Sequence, residues 1–354
     1  MSIHFSMDRM KKCRENHDLW WEGKLQRPLS RVTLYDAYPM DRQTKAPYLA
    51  QANCTDFSWT PEEIVDTMDA HLSRCEFLGD AFPSVNFDSF GPGVLAAMCG
   101  AKLDNSSGSV WFFPDKERAL RDIRVKYDPE NKWSRRIKDI YRAGLDRWNG
   151  LVIMGFPDLG GVLDVAQTFR GAENLMMDMI DDPDEVLRLI KEIEIAWHEA
   201  YNDFASVLAE QGAYTHWSGL MSSGTSYIIQ SDASYMIGKS MFDRFVLDTL
   251  RNDTLKLSRT IYHLDGIGQL NHLDSLLTLE NLDAVQWVFG AGKPGPMNWL
   301  PVYRKIMDAG KRIMLEGSPE EYIETVRTLH IFPYARHDLS VKDKALAYRI
   351  MEAR

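Results

Sequence analysis

The chain lacks several features that would mark out whole functional classes. It has only four cysteines, Cys13, Cys54, Cys75 and Cys99, and none forms a C-x-x-C pair. This excludes a zinc knuckle or a thioredoxin-type redox site and leaves reduced thiols as the reading. No stretch approaches the roughly 20 apolar residues of a membrane helix. The segment Met1 to Arg14 scatters Lys and Arg among its apolar residues and has no apolar core of signal-peptide length. The expected location is therefore cytoplasmic, with no membrane partner. The net charge is −10, and no Lys/Arg cluster is dense enough for a nucleic-acid face. An acidic balance still permits an anionic substrate, because a local pocket can oppose the global sign. Internal repeats and low-complexity tracts are absent as well.

What is present is an alternation of short β-type runs with longer helical ones. Strands are expected at Arg31–Tyr35, Ser84–Phe87, Gly150–Met154, Ala213–Trp217, Thr260–His263, Ala284–Trp287, Arg312–Leu315 and His330–Phe332. Between them lie helices with clear start signals. Thr60-Pro61-Glu62-Glu63 and Ser318-Pro319-Glu320-Glu321 each give a hydroxyl cap, a proline and two acids. Asp182-Pro183-Asp184-Glu185 opens a helix expected to reach about Glu210, with Gly212 as its stop, and Ser240 to about Leu257 reads as another. The pattern predicts an α/β fold: a single (β/α)8 TIM barrel over residues 1–354, with an N-terminal extension over about 1–30. The stretch from about Gly91 to Trp148 reads as an inserted excursion near the barrel mouth, with Val110–Phe113 in a small hairpin. The loop Gly290–Pro296 is a candidate lip.

Working residues of parallel barrels sit at the C-terminal ends of strands, where the βα loops open on one face. That rule selects Asp88, Asp158, Asp164, His216, Trp217, His263, Asp265, Gln286, Trp287 and Glu316. The sharpest group is Tyr262-His263-Leu264-Asp265-Gly266. In an extended segment, residues two apart share a face. His263 and Asp265 could thus bind one ion or act as an acid–base pair, or simply hold a loop by a hydrogen bond. Gly266 lets the chain turn there. Asp232 is a possible helix cap or a pocket acceptor, and Arg170 is an anion-binding candidate or a surface ion pair. Trp20-Trp21 reads as an anchor for the N-terminal segment.

Taken together, these motifs resemble the uroporphyrinogen decarboxylase superfamily, especially its corrinoid-linked methyltransferase branch. The resemblance spans roughly residues 60–350. It lies in Gly171–Leu175 through Asp182–Val186, in Gln230–Met236 with Phe242–Val246, and in Tyr262–Gly266. It implies one α/β barrel with a deep cleft and one of two chemistries. The decarboxylases use no metal and rely on an aspartate after an early strand, for which Asp88 is the counterpart. The methyltransferases bind zinc at a His-x-Cys strand end plus a later Cys. His263 matches the His, Asp265 stands where the Cys would be, no Cys follows position 99, and Glu316 is the available third ligand. The implied activity is methyl transfer between a small methylated donor and a cobalamin-bearing protein, with zinc as the assisting metal the branch uses. Asp88, His263 and Asp265 would be catalytic. Arg170, His216, Trp217, Asp232, Gln286 and Trp287 would bind substrate. The alternative is a metal-independent decarboxylase or lyase acting through Asp88.

Overall fold

A computed structural model describes residues 3–40 and 42–353, so the first two positions of the expected N-terminal extension and Arg354 lie outside the described residues. Local signals act as the sequence suggests. In the helices Pro61–Leu72 and Pro319–Leu329 the cap hydroxyl accepts from the N3 backbone, and the N3 glutamate accepts from the cap backbone. The helix Pro183–Leu208 passes through a 3-10 turn at Ala209–Gln211 and stops at left-handed Gly212. Among the described residues no helix is long and apolar enough to cross a membrane.

The strands are β1 (Leu29–Tyr35), β2 (Glu76–Gly79), β3 (Ser84–Val85), β4 (Lys102–Asp104), β5 (Trp111–Phe113), β6 (Ile153–Met154) and β7 (Tyr214–Thr215). They continue with β8 (Met221–Ser222), β9 (Ser226–Gln230), β10 (Arg259–Asp265), β11 (Ala284–Val288), β12 (Arg312–Met314) and β13 (Tyr334–Ser340). A seven-stranded sheet runs β2-β1-β13-β12-β11-β10-β9. Its pairings are parallel except for β2, which lies antiparallel on β1. β3 pairs with β6, and single hydrogen bonds from Gly155 N to Val85 O and from Phe156 N to Thr215 O extend this group toward β7.

The architecture is therefore α/β with a parallel sheet that is not closed, where a closed (β/α)8 barrel was expected. Arg31 bridges the gap between β1 and β3. Its guanidinium donates to Phe82 O at 3.1 Å, to Ser84 Oγ at 2.8 Å and to Gly219 O at 2.7 Å.

Three expectations about elements need correction. His330 is not in a strand. It caps the preceding helix in the left-handed conformation, φ 51°, and the last strand starts at Tyr334. The helix expected over Ser240–Leu257 is broken at Val246 into Lys239–Phe245 and Leu247–Lys256. The excursion is a hairpin, β4–β5, whereas Lys132–Trp148 is an ordinary amphipathic helix that buries Ile137, Ile140 and Tyr141.

Strand parity divides the sheet into two faces. Tyr262, Leu264, Val285, Trp287, Ile313 and Leu315 belong to the main core under the helices. Leu29, Ile228, Ile261, Ala284, Met314 and Tyr334 form a second cluster on the inner face, near the strand starts, together with Trp20 and Trp21. The helix Met7–Trp21 thus seals the inner face at its N-terminal end. Trp21 is fully buried and donates Nε1–H to Met221 O at 2.8 Å, and Trp20 donates to Phe332 O at 3.0 Å. With that end sealed, the polar residues of the inner face, Gln230, His263 and Gln286, lie toward the strand C-termini. Replacing a fully buried tryptophan with alanine costs about 3–5 kcal/mol. Trp21→Ala should therefore lower the urea midpoint by that equivalent, as measured by equilibrium unfolding.

Candidate active site

Beyond the apolar inner layer the side chains become polar. Parallel register sets Gln230, His263 and Gln286 side by side on one face. His263 Nδ1 lies 2.6 Å from Gln286 Oε1, and Gln286 Nε2 lies 2.5 Å from Glu316 Oε1. These contacts fix a tautomer. A carboxylate offers only acceptors, so Gln286 must turn its NH2 toward Glu316. Its carbonyl then faces His263, so Nδ1 must carry the proton. The imidazole lone pair is left on Nε2, available to a ligand or a proton.

Three groups converge at the strand ends. Asp232, His263 and Asp265 bring one carboxylate or imidazole atom each to within 4.8 Å of one another. One ion with bonds of about 2.1 Å can span that set after a side-chain rotation. His263 and Asp265 share the face that parity gave them. Asp232 arrives from the loop after β9, whose backbone is clamped by Asp164: Asp232 N and Ala233 N donate to its carboxylate at 3.1 and 2.7 Å, and Gly161 N donates at 3.1 Å. Position 161 must be glycine, since a Cβ there would lie 2.2 Å from Gln230 O.

The mouth is crowded with carboxylates. Desolvation at the crowded mouth, then the charge of Asp265, raises Asp232 above the ordinary carboxylate value although its surface is open. Burial, then Asp232, raises Asp164 in the same direction. Burial also pushes Asp158 up to about 7, helped by Asp232, Asp88 and Asp164 and opposed by the hydrogen bond from Gly160 N. Asp88, at the turn after β3, is raised by burial and partly held down by Arg336. Negative charge packed this densely favours a cation or a shared proton.

The remaining expected site residues divide in two. Trp217 meets His263 edge-on, with ring centroids 5.0 Å apart. His216 is buried behind it with Nδ1 on Ser218 Oγ at 3.0 Å, and burial lowers it to about 3, so it stays neutral. Glu316 orients Gln286 and is outside the three-residue group, where it had been expected as a ligand; Asp232 occupies that place. Trp287 shares its face with Leu264, fully buried against Trp299, so parity directs it away from the mouth. Arg170 is spent on Asp178, with Nε 2.5 Å from Oδ2, and on Arg118 O.

Asp158 gives the mouth a signature in pH. Its folded-state value lies above that of an unfolded aspartate, so between about pH 4 and 7 the native state holds the extra proton. Stability therefore falls as pH rises through that window. Urea midpoints of metal-free protein should decline from pH 5 to pH 8, and Asp158→Asn should flatten the decline.

Comparison with known proteins bears on the fold. No protein-family model matches the chain, and neither does any curated protein sequence. Among solved structures, a methyltransferase from Methanosarcina mazei is similar over 96% of this chain and 98% of its own, with a TM-score of 0.61 and 13% sequence identity.

Proposed function

We propose that the chain is a methyltransferase that moves a methyl group between a small methylated donor and a corrinoid carried on a partner protein, with a zinc ion held by Asp232, His263 and Asp265. The observation that carries the reading is the Glu316–Gln286–His263 relay. It leaves the Nε2 lone pair of His263 free, on an imidazole grouped with two carboxylates. The residues fit a metal: one nitrogen and two oxygen donors match zinc's usual ligands and leave a position open, and a cation would offset the crowded negative charge. The fold shared with a methyltransferase and the resemblance in Tyr262–Gly266 support the same reading.

When bound there, zinc would act as a Lewis acid on the methyl donor or acceptor. The chain's own residues do the rest. Glu316 and Gln286 hold the imidazole, Asp164 holds the Asp232 loop, and the Trp217 edge covers one side of His263. Asp158 can keep or release a proton near neutral pH. A metal-independent lyase acting through Asp88 is the second reading, favoured by its place at the turn after β3, where desolvation raises the carboxyl above its ordinary value.

Purified protein should contain one zinc per chain by elemental analysis, and His263→Ala should lose both the metal and methyl transfer to free cob(I)alamin. Gln286→Leu should cost about 10- to 100-fold in zinc affinity. Full turnover by metal-stripped protein, abolished by Asp88→Asn, would establish the lyase reading instead.

A further inference from the structure

A second cavity, of about 390 Å³, opens between β1, β3, β13 and the helix Pro61–Leu72. It adjoins the carboxylate mouth through two residues. Asn86 lines it and donates to Trp217 O at 3.5 Å, and the Trp217 ring rests on His263. Its volume falls in the range of small-molecule sites.

The charged lining of this cavity is mixed, whereas that of the mouth is acidic, and Asp88 lies near enough to act on Arg336. Its charged lining is Arg31, Arg74 and Arg336 against Asp36 and Asp338, and burial keeps His71 below its ordinary value. Arg74 is paired with Asp36, and Arg336 with Asp338 at 2.6 Å. Among the described residues Arg31 pairs with no carboxylate. It is buried, with 4% of its surface exposed, its two terminal nitrogens serve carbonyl and hydroxyl oxygens, and its Nε has no hydrogen-bond partner. A buried guanidinium is normally neutralised by an anion. Arg336 uses Nε and Nη2 on Asp338, and among the described residues Nη1 has no hydrogen-bond partner. Asn86 Oδ1 is likewise buried and unpaired. The walls are Tyr35 and Tyr48, which leave 44% and 46% of their surfaces open.

We infer that this cavity binds a small organic carboxylate. Its anionic head is received by the Arg336 edge above Arg31, and its body lies along Tyr35 and Tyr48 toward Trp217. A guanidinium edge with an unused N–H is a charge-assisted donor for such a head, and the tyrosine faces suit either an aromatic or an onium body. As the substrate class of the methyl-transfer reading this rests on that reading. As a binding site it can be tested without it.

Calorimetry on the full chain supplies the test, with 4-methoxybenzoate and glycine betaine as probes and their uncharged-head counterparts 4-methoxybenzyl alcohol and choline as controls. At least one acid should bind tenfold or more tighter than its matched alcohol. Arg336→Gln should remove that preference, and Arg336→Lys should restore part of it. Tyr48→Ala, whose ring is half open, should weaken binding while leaving the unliganded melting temperature in place, which keeps the test decisive if the arginine variant fails to fold. His263→Ala should bind the acid as well as the parent does even though it loses zinc. Acid binding without methyl transfer would therefore sink only the proposed activity. Equal affinity for acids and alcohols, no binding of either acid, or an unchanged affinity in folded Arg336→Gln would overturn the carboxylate site.

Discussion

The hydrogen bond from Gln286 to Glu316 orders the mouth at the strand ends, because a carboxylate cannot donate. Its one-way character turns the glutamine amide, the amide carbonyl takes the proton side of His263, and Nε2 is left bare. A protein that needed only a packed strand end would gain little from three polar side chains in series. Such a relay makes sense if the orientation of the imidazole matters more than its burial.

The relay works because strand parity holds on every neighbouring strand. Gln230, His263 and Gln286 fall in one row, with the apolar row below them sealed by Trp20 and Trp21. A one-residue slip of β11 would replace Gln286 with Trp287 and break the relay. Where the ladder is missing between β1 and β3, Arg31 bridges the strands with a buried cation. The same cation that spans the open sheet gives the adjoining cavity its positive floor. The inner face is thereby divided into a carboxylate-rich side around His263 and an arginine-lined side around Arg336, separated by Asn86 and Trp217.

Much of this was legible in the residues. The capping boxes, the β-branched runs and the rule that polar residues gather at parallel strand ends led to His263, Asp265 and Gln286. Same-face spacing on one strand is a local property, and the structure brings His263 and Asp265 together in that way. What was illegible depended on relations between strands. Asp232 was legible only as a cap or a pocket acceptor, because Ser226–Gln230 was not read as a strand, although Tyr227-Ile228-Ile229 carries the strand signal. Gln286 and Trp287 both looked like strand-end residues, yet parity admits only one of a consecutive pair. Glu316 has the right position and chemistry for a ligand, but Gln286 stands between it and His263. His330 looked extended until its left-handed cap geometry ended the helix before it. Closure of the sheet also could not be read from the strand count, because very short strands such as β3 and β6 satisfy the pattern without completing a ladder.

The central claim is that Asp232, His263 and Asp265 form one metal site with no sulfur ligand, although the resembling enzymes use thiolates. X-ray absorption at the zinc edge of metal-replete protein tests this most directly. The account predicts a shell of light nitrogen and oxygen atoms with the outer-shell signature of a single imidazole, abolished in His263→Ala and altered in Asp232→Asn. A sulfur shell, or a spectrum unchanged in both variants, would contradict it.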